Sequence, residues 1–133
     1  MAVSAALVRE IFRGLENGDG EAFFRHVAAD VDWTVMGTHP LAGHYFSKSA
    51  FQVATFAKLG KMLPKGAQLC VTNVIVGNDV AAVELASDAT ARNGMRFDNH
   101  YCWITRFEKN TIVEVRAYLD SAMVAELFRQ NPV

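Results

Sequence analysis

The sequence predicts an α+β fold: a cone-shaped α+β barrel in which a curved antiparallel sheet wraps around three N-terminal helices, with a short C-terminal helix after the last strand. Three observations carry the prediction. Apolar residues recur at helical spacing in the first half of the chain. Leu69 to Leu119 alternates with period two and is broken only by turn residues. One alternating segment, Asp30 to Met36, stands alone among the helices.

Each element has a local cause. Ser4 is placed to cap a first helix whose stripe is Leu7, Ile11 and Leu15 with Val8 and Phe12 beside it, and Asn17-Gly18 ends it. Asp19 caps a short second helix through Ala22, Phe23, Phe24 and Val27. In the Asp30–Met36 strand Trp33 and Val35 share a side, and Gly37 to Gly43 is a loop by its Gly and Pro content. Ser47 caps a third helix carrying Phe51, Thr55, Leu59 and Leu63 at helical spacing with Phe56 adjacent, and Pro64-Lys65-Gly66 stops it. Strands follow over Leu69–Val76 and Asp79–Ala91, joined by a tight Gly77-Asn78 turn. A hairpin spans Met95–Asp120, and Asp120 caps a final helix, Ser121–Gln130.

Turn chemistry sets the expected register. Asn93-Gly94 suits a two-residue loop, which places Ala86 opposite Tyr101 and Glu84 opposite Trp103. At Glu108-Lys109-Asn110 a two-residue loop sets Trp103 opposite Arg116. A three-residue loop with a bulge sets Trp103 opposite Val115, and it is the expected one because it joins apolar to apolar. The face toward the helices then carries Val80, Ala82, Glu84, Ala86 and Asp88; Asn99, Tyr101, Trp103, Thr105 and Phe107; and Val113, Val115, Ala117 and Leu119. The outer face carries Val83, Leu85 and Ser87, then Asp98, His100, Cys102, Ile104 and Arg106, then Ile112, Glu114, Arg116 and Tyr118, with Asp120 as a cap. Its charge pairing suits solvent at the edges and a partner subunit at the centre.

At 133 residues the chain is expected to form one domain, 1–133. A net charge of −1 without a basic run gives nucleic-acid binding no electrostatic support. The opening MAVSAALVRE meets Arg and Glu too soon for a leader, and no apolar run approaches the roughly 20 residues of a membrane span. Cys70 and Cys102 are separated by a strand, roughly 9–10 Å, beyond the roughly 7 Å limit of a disulfide. They read as reduced thiols in a cytoplasmic protein. His26, His39, His44 and His100 have no ligand spacing, so no metal is expected, and no phosphate loop, catalytic triad or other cofactor motif is visible.

The element order resembles the nuclear transport factor 2-like superfamily, in particular its SnoaL-like and ketosteroid isomerase-like branch, over nearly the whole chain. The resemblance rests on the Asp30–Val35 strand, the Gly43 step into the third helix, and the closing Ile112-Val113-Glu114 and Tyr118-Leu119-Asp120. It implies a deep pocket in the cone and a homodimer through the outer sheet face. Where ketosteroid isomerases place their base this chain has Val35 or Met36, and Trp103 stands about where their oxyanion-side acid would be. The Arg-x-Asp spelling of epoxide hydrolases occurs only in Arg96-Phe97-Asp98, whose Asp98 points away from the pocket in the expected register.

Glu84 is the expected catalytic group, a carboxyl in an apolar setting whose pKa would rise into the general acid–base range; the alternative is a Glu paired with a cation or reaching water. His39, in the loop by the mouth of the cone, would shuttle protons with it or else satisfy backbone groups; His44 has the same standing. Tyr101 would assist. Trp33, Val35, Phe51, Thr55, Trp103, Val115 and Ala117 would wall a ligand pocket, with Asp88 and Asn99 at its rim offering hydrogen bonds or finishing the sheet edge. Three readings follow: a cofactor-independent isomerase, dehydratase or cyclase acting on an apolar carbonyl or polycyclic substrate; a non-catalytic hydrophobic-ligand-binding dimer; or a scaffold whose cone is filled by its own side chains.

Overall fold

The helix starts are capped as the sequence requires. Ser4 accepts from Leu7 N, Asp19 from Ala22 N, Ser47 from Ala50 N and Asp120 from Met123 N. The computed structural model describes residues 3–133; Met1 and Ala2, which open the stretch weighed against a leader, lie outside them. In order the elements are α1 (Ala5–Glu16), α2 (Gly20–Phe24), β1 (Val27–Val35), β2 (Gly43–Tyr45), α3 (Lys48–Ala54) and α4 (Phe56–Met62). Then come β3 (Leu69–Val76), β4 (Val80–Ser87), β5 (Ala89–Thr90), β6 (Arg96–Phe97), β7 (His100–Glu108), β8 (Thr111–Leu119) and α5 (Ser121–Gln130). Among the described residues no helix is long and apolar enough to cross a membrane.

The third helix is two helices. Thr55 separates them at φ −122°, ψ −77°, and its hydroxyl donates to the Phe51 carbonyl at 2.7 Å. A Thr that bonds back to the preceding turn bends a helix. The bend points both Phe51 and Phe56 inward, their rings 5.8 Å apart.

The main sheet has the order β2-β1-β8-β7-β4-β3 and is curved and unclosed, with β2 and β3 as its edges. It is antiparallel except where β1 runs parallel to β8. Helix α1 is tied to the far edge by Glu16, which accepts from Val71 N at 2.9 Å beside a bulge in β3. Lys48 of α3 donates to the Phe24 and Val27 carbonyls, anchoring the α2–β1 corner.

Both expected hairpin loops exchange types, and one face changes with them. Asn93 keeps a negative φ and Gly94 alone is positive, at +93°. Residues 92–94 therefore form a three-residue loop closed by Ala91 N to Met95 O and Gly94 N to Ala91 O. That places Val83 opposite Trp103, Glu84 opposite Cys102 and Leu85 opposite Tyr101, one residue from the expected pairing. Val83, Leu85 and Ser87 point inward and Glu84 outward, because a one-residue slip reverses a strand. At the other end Lys109 and Asn110 both have positive φ, +51° and +65°, and form a two-residue loop. That loop pairs Phe107 with Ile112, and a bulge just beyond restores the apolar match farther along, Thr105 with Val115 and Trp103 with Ala117. Ile112 is thus fully buried and Val113 only half-buried, the reverse of expectation. Glu114, Arg116 and Tyr118 stay on the outer face as expected.

The main core joins α1, α2, α3 and the inner sheet face through an aromatic chain of Phe12, Phe23, Phe24, Trp33, Phe51 and Trp103. A second cluster, Leu41, Leu59, Met62, Leu63, Ala91, Phe97, Val124 and Leu127, packs α4 and α5 over the end of the cone.

Candidate functional site

A slot of about 40 Å³ remains between the two cores. That is room for a few water molecules and not for a ring, so a ligand larger than this requires the walls to move. Trp33, Val35, Phe51, Thr55, Tyr101, Trp103 and Ala117 line it, as the sequence reading expects. Leu41, Phe56, Leu59, Ala67, Leu69, Phe97, Leu119 and Val124 complete it and escape that reading. For Val124 the helical spacing with Leu127 marks a buried face but not its partner; for Phe97 the break in the β4–β7 hairpin hides its direction. Val115 is buried in the core beside the slot and does not line it.

The wall is aromatic and tightly set. Trp33 stacks on Phe51 with ring centroids 3.8 Å apart and planes at 19°. Trp103 meets Trp33 nearly edge-on, at 5.2 Å and 80°. Neither indole N–H finds an acceptor among the described residues, although Trp33 is 0% and Trp103 3% exposed. The Thr55 hydroxyl is engaged with Phe51. Tyr101 donates to Ser87 Oγ at 3.2 Å, and Ser87 donates onward to Phe97 O and accepts from Asn99 N. Burial pushes the Tyr101 phenol up to about 12, the hydrogen bond to Ser87 offsetting only part of the effect. Tyr101 is therefore a neutral donor across the ordinary pH range, not a base.

Three of the expected polar groups are elsewhere. Glu84 is exposed on the outer face and accepts from Asn73 Nδ2 at 3.0 Å, which removes it from the slot and gives it a neutral partner. Asp88 is exposed and paired with Arg96. His39 is buried but spent: its Nδ1 accepts from Leu41 N at 3.1 Å, so Nε2 carries the proton and donates to Met36 O at 2.9 Å. It is the loop histidine that satisfies backbone groups. Gly37 beside it has φ +112°, and a Cβ there would collide with Ser121 at the start of α5.

Asn99 is fully buried and structural. Its Oδ1 accepts from Asp120 N at 3.1 Å and from His100 N at 2.7 Å, and its Nδ2 donates to Asp120 O at 3.3 Å. It thus ties β7 to the start of α5. His44 pairs on the surface with Asp32 and lies against Phe46, away from the slot. Among the described residues no three His, Cys, Asp or Glu side chains converge as metal ligands would.

On the outer face Arg106 and Arg116 both donate to Glu114, at 3.0 and 2.9 Å. Cys102 lies beside Glu84, and burial together with that carboxylate pushes its thiol up, away from thiolate reactivity.

Residues 8–115 match the SnoaL-like domain family. The chain is 25% identical to the dimerizing cyclase phiC of a Fungal sp. strain, over 98% of this chain and 59% of that protein. It is 24% identical to the dimerizing cyclase tstC of Talaromyces stipitatus, over 86% and 53%. The chain thus spans little more than half the length of these relatives. In solved structures a nuclear transport factor 2-like protein from Burkholderia thailandensis superposes with a TM-score of 0.79 at 22% identity, over 92% of this chain and 95% of that one. TerC, co-crystallized with polyporic acid, superposes with a TM-score of 0.76 at 17% identity, over 93% and 96%. On the family match over residues 8–115, the chain belongs to the SnoaL-like domain family, and it shares the fold of the nuclear transport factor 2-like protein.

Proposed function

We propose that the chain is a small-molecule enzyme of the cyclase or isomerase kind, acting without a cofactor on an apolar carbonyl or polycyclic compound enclosed beneath β7. The observation that carries this is the slot itself: apolar walls, one phenol whose hydroxyl end is buried, and no acid or base of the Asp, Glu or His type among its lining residues. Such a site works by enclosing and orienting a substrate and by stabilising charge that develops on its oxygen. In the simplest step an α C–H bond breaks, the proton passes to solvent, and the electron pair delocalises onto the carbonyl oxygen. Tyr101 stabilises that oxygen by giving up its hydrogen bond to Ser87. The names of the two cyclase relatives support ring- or bond-forming chemistry of this class.

The same lack of a wall base favours the second reading, a non-catalytic binder of hydrophobic ligands. Deuterium exchange at the α-carbon of 1-indanone, followed by NMR in heavy water, separates the two. The first reading expects exchange faster than buffer alone, about tenfold or more slower in Tyr101→Phe than in the wild type, and unchanged in Glu84→Gln. Binding of 1-indanone with no acceleration leaves the protein a binder. We further propose that the partner is a second copy of the chain, packed through the outer face of β7 and β8 around Cys102, Ile104 and Tyr118, and that the protein resides in the cytoplasm.

A further inference from the structure

Four of the six rings of the aromatic core are phenylalanines and two are tryptophans. Phe12, Phe23, Phe24 and Phe51 pack it without any polar atom, and the chain has nine Phe and only two Trp. Both Trp stand in the wall of the slot, and the N–H of each is buried without an acceptor among the described residues. An indole N–H donates and cannot accept, and leaving it unpaired in an apolar interior is costly. A core that only needed filling would use Phe or Leu at these positions.

The sheet brings the two indole rings together, edge to face at 5.2 Å. Trp33 comes from β1 and Trp103 from β7, on either side of β8. The β8 partner of Trp33 is Val115 and that of Trp103 is Ala117, so the two indoles meet diagonally across β8. Without a guest, the hydroxyls that also border the slot donate within the chain, Thr55 to the Phe51 carbonyl and Tyr101 to Ser87, whereas the indoles donate to nothing described. The two indole N–H groups are therefore the donors of the wall that have no acceptor among the described residues.

We infer that Trp33 and Trp103 form a two-donor site for the oxygen of a flat, conjugated ketone, quinone or its enolate. A cation finds no counter-charge among the lining residues. This rests on the reading that the slot opens to admit a small molecule, and it names what that molecule presents.

The test uses the fact that the chain has one indole resonance for each of its two Trp. The ¹⁵N-labelled protein is titrated with 1-indanone and, in parallel, with indane, which has the same rings and no oxygen. Trp33→Phe and Trp103→Phe assign the two indole signals. The expected result is a downfield shift of at least one indole N–H with 1-indanone only, and affinity for 1-indanone about five- to tenfold above that for indane. That preference falls toward onefold when both Trp are replaced by Phe. If both compounds bind alike and the indole signals do not respond to the carbonyl, the donor site is wrong while the pocket stands. If neither compound binds, the pocket reading itself fails and takes the donor site with it. Should the doubly substituted chain not fold, the wild-type comparison of the two compounds decides alone.

Discussion

Glu84 and Trp103 show how much one residue's direction decides. A carboxyl opposite Trp103 would have been a buried acid. Opposite Cys102 it is a solvated side chain bonded to Asn73, and the polar groups left beside the slot are ones that donate. Tyr101 is the clearest of these. Its phenol is raised from 10 to about 12 by burial. A group whose folded pKa is raised stabilises the fold fully below its unfolded pKa and loses that contribution as pH rises through the folded value. The fold is thus expected to weaken between pH 10 and about 12 as the unfolded phenol ionises first. Denaturant titrations across that window should show the slope flattened in Tyr101→Phe; an unchanged slope would locate the alkaline transition in other groups.

At the scale of elements, two turns decide two faces. The Asn-Gly pair is the stronger sequence signal for a two-residue loop, yet Asn93 is held at negative φ by contacts from outside the hairpin. Its backbone N–H donates to Asn131 Oδ1 and its side chain to Gln130, both at the end of α5, while Arg92 N reaches Met62 O in α4. The tight loop forms instead at Lys109-Asn110, where Lys sits in the left-handed region. A non-glycine residue there costs roughly 1–2 kcal/mol, less for Asn. Lys109→Gly is accordingly expected to stabilise the protein by about 0.5–1 kcal/mol, read as a higher denaturant midpoint at unchanged m-value. A loss of stability would mean that the Lys109 side chain contributes something its exposure conceals.

For the whole molecule, the open sheet leaves its convex side to solvent or to a partner. That surface combines a half-buried centre, Cys102 and Ile104 beside Tyr118 at 42% exposure, with a frame of Arg106, Glu114 and Arg116 already paired within the chain. An apolar centre with a satisfied polar rim is the anatomy of a protein interface. Sedimentation equilibrium is expected to find a dimer for the wild type and a monomer for Ile104→Glu, with an unchanged circular dichroism spectrum. A wild-type monomer at micromolar concentration would reject the interface. The concave side is closed by contacts more distant in sequence. Helices α4 and α5 share one apolar cluster over the cone with Leu59, Met62, Val124 and Leu127, and Leu59 and Val124 reach the slot from it.

The sequence by itself determined the helix caps at Ser4, Asp19, Ser47 and Asp120, the inward direction of Trp33, Val35, Tyr101, Trp103 and Ala117, and the outward direction of Arg116 and Tyr118. Each of these follows from local periodicity or from a side chain reaching its own neighbours, and such interactions are complete within a few residues. The sequence did not determine the end of the second helix at Phe24 with Val27 opening β1, the short strand β2, the split of the third helix or the break between β4 and β5. Tertiary structure alone decided the register of β4 against β7, the fate of Glu84 and His39, and the closing of the cone by Val124. A hairpin loop is selected among nearly equal alternatives by whatever binds it from outside, here α4 and α5. A one-residue difference in that choice is enough to turn an entire strand over.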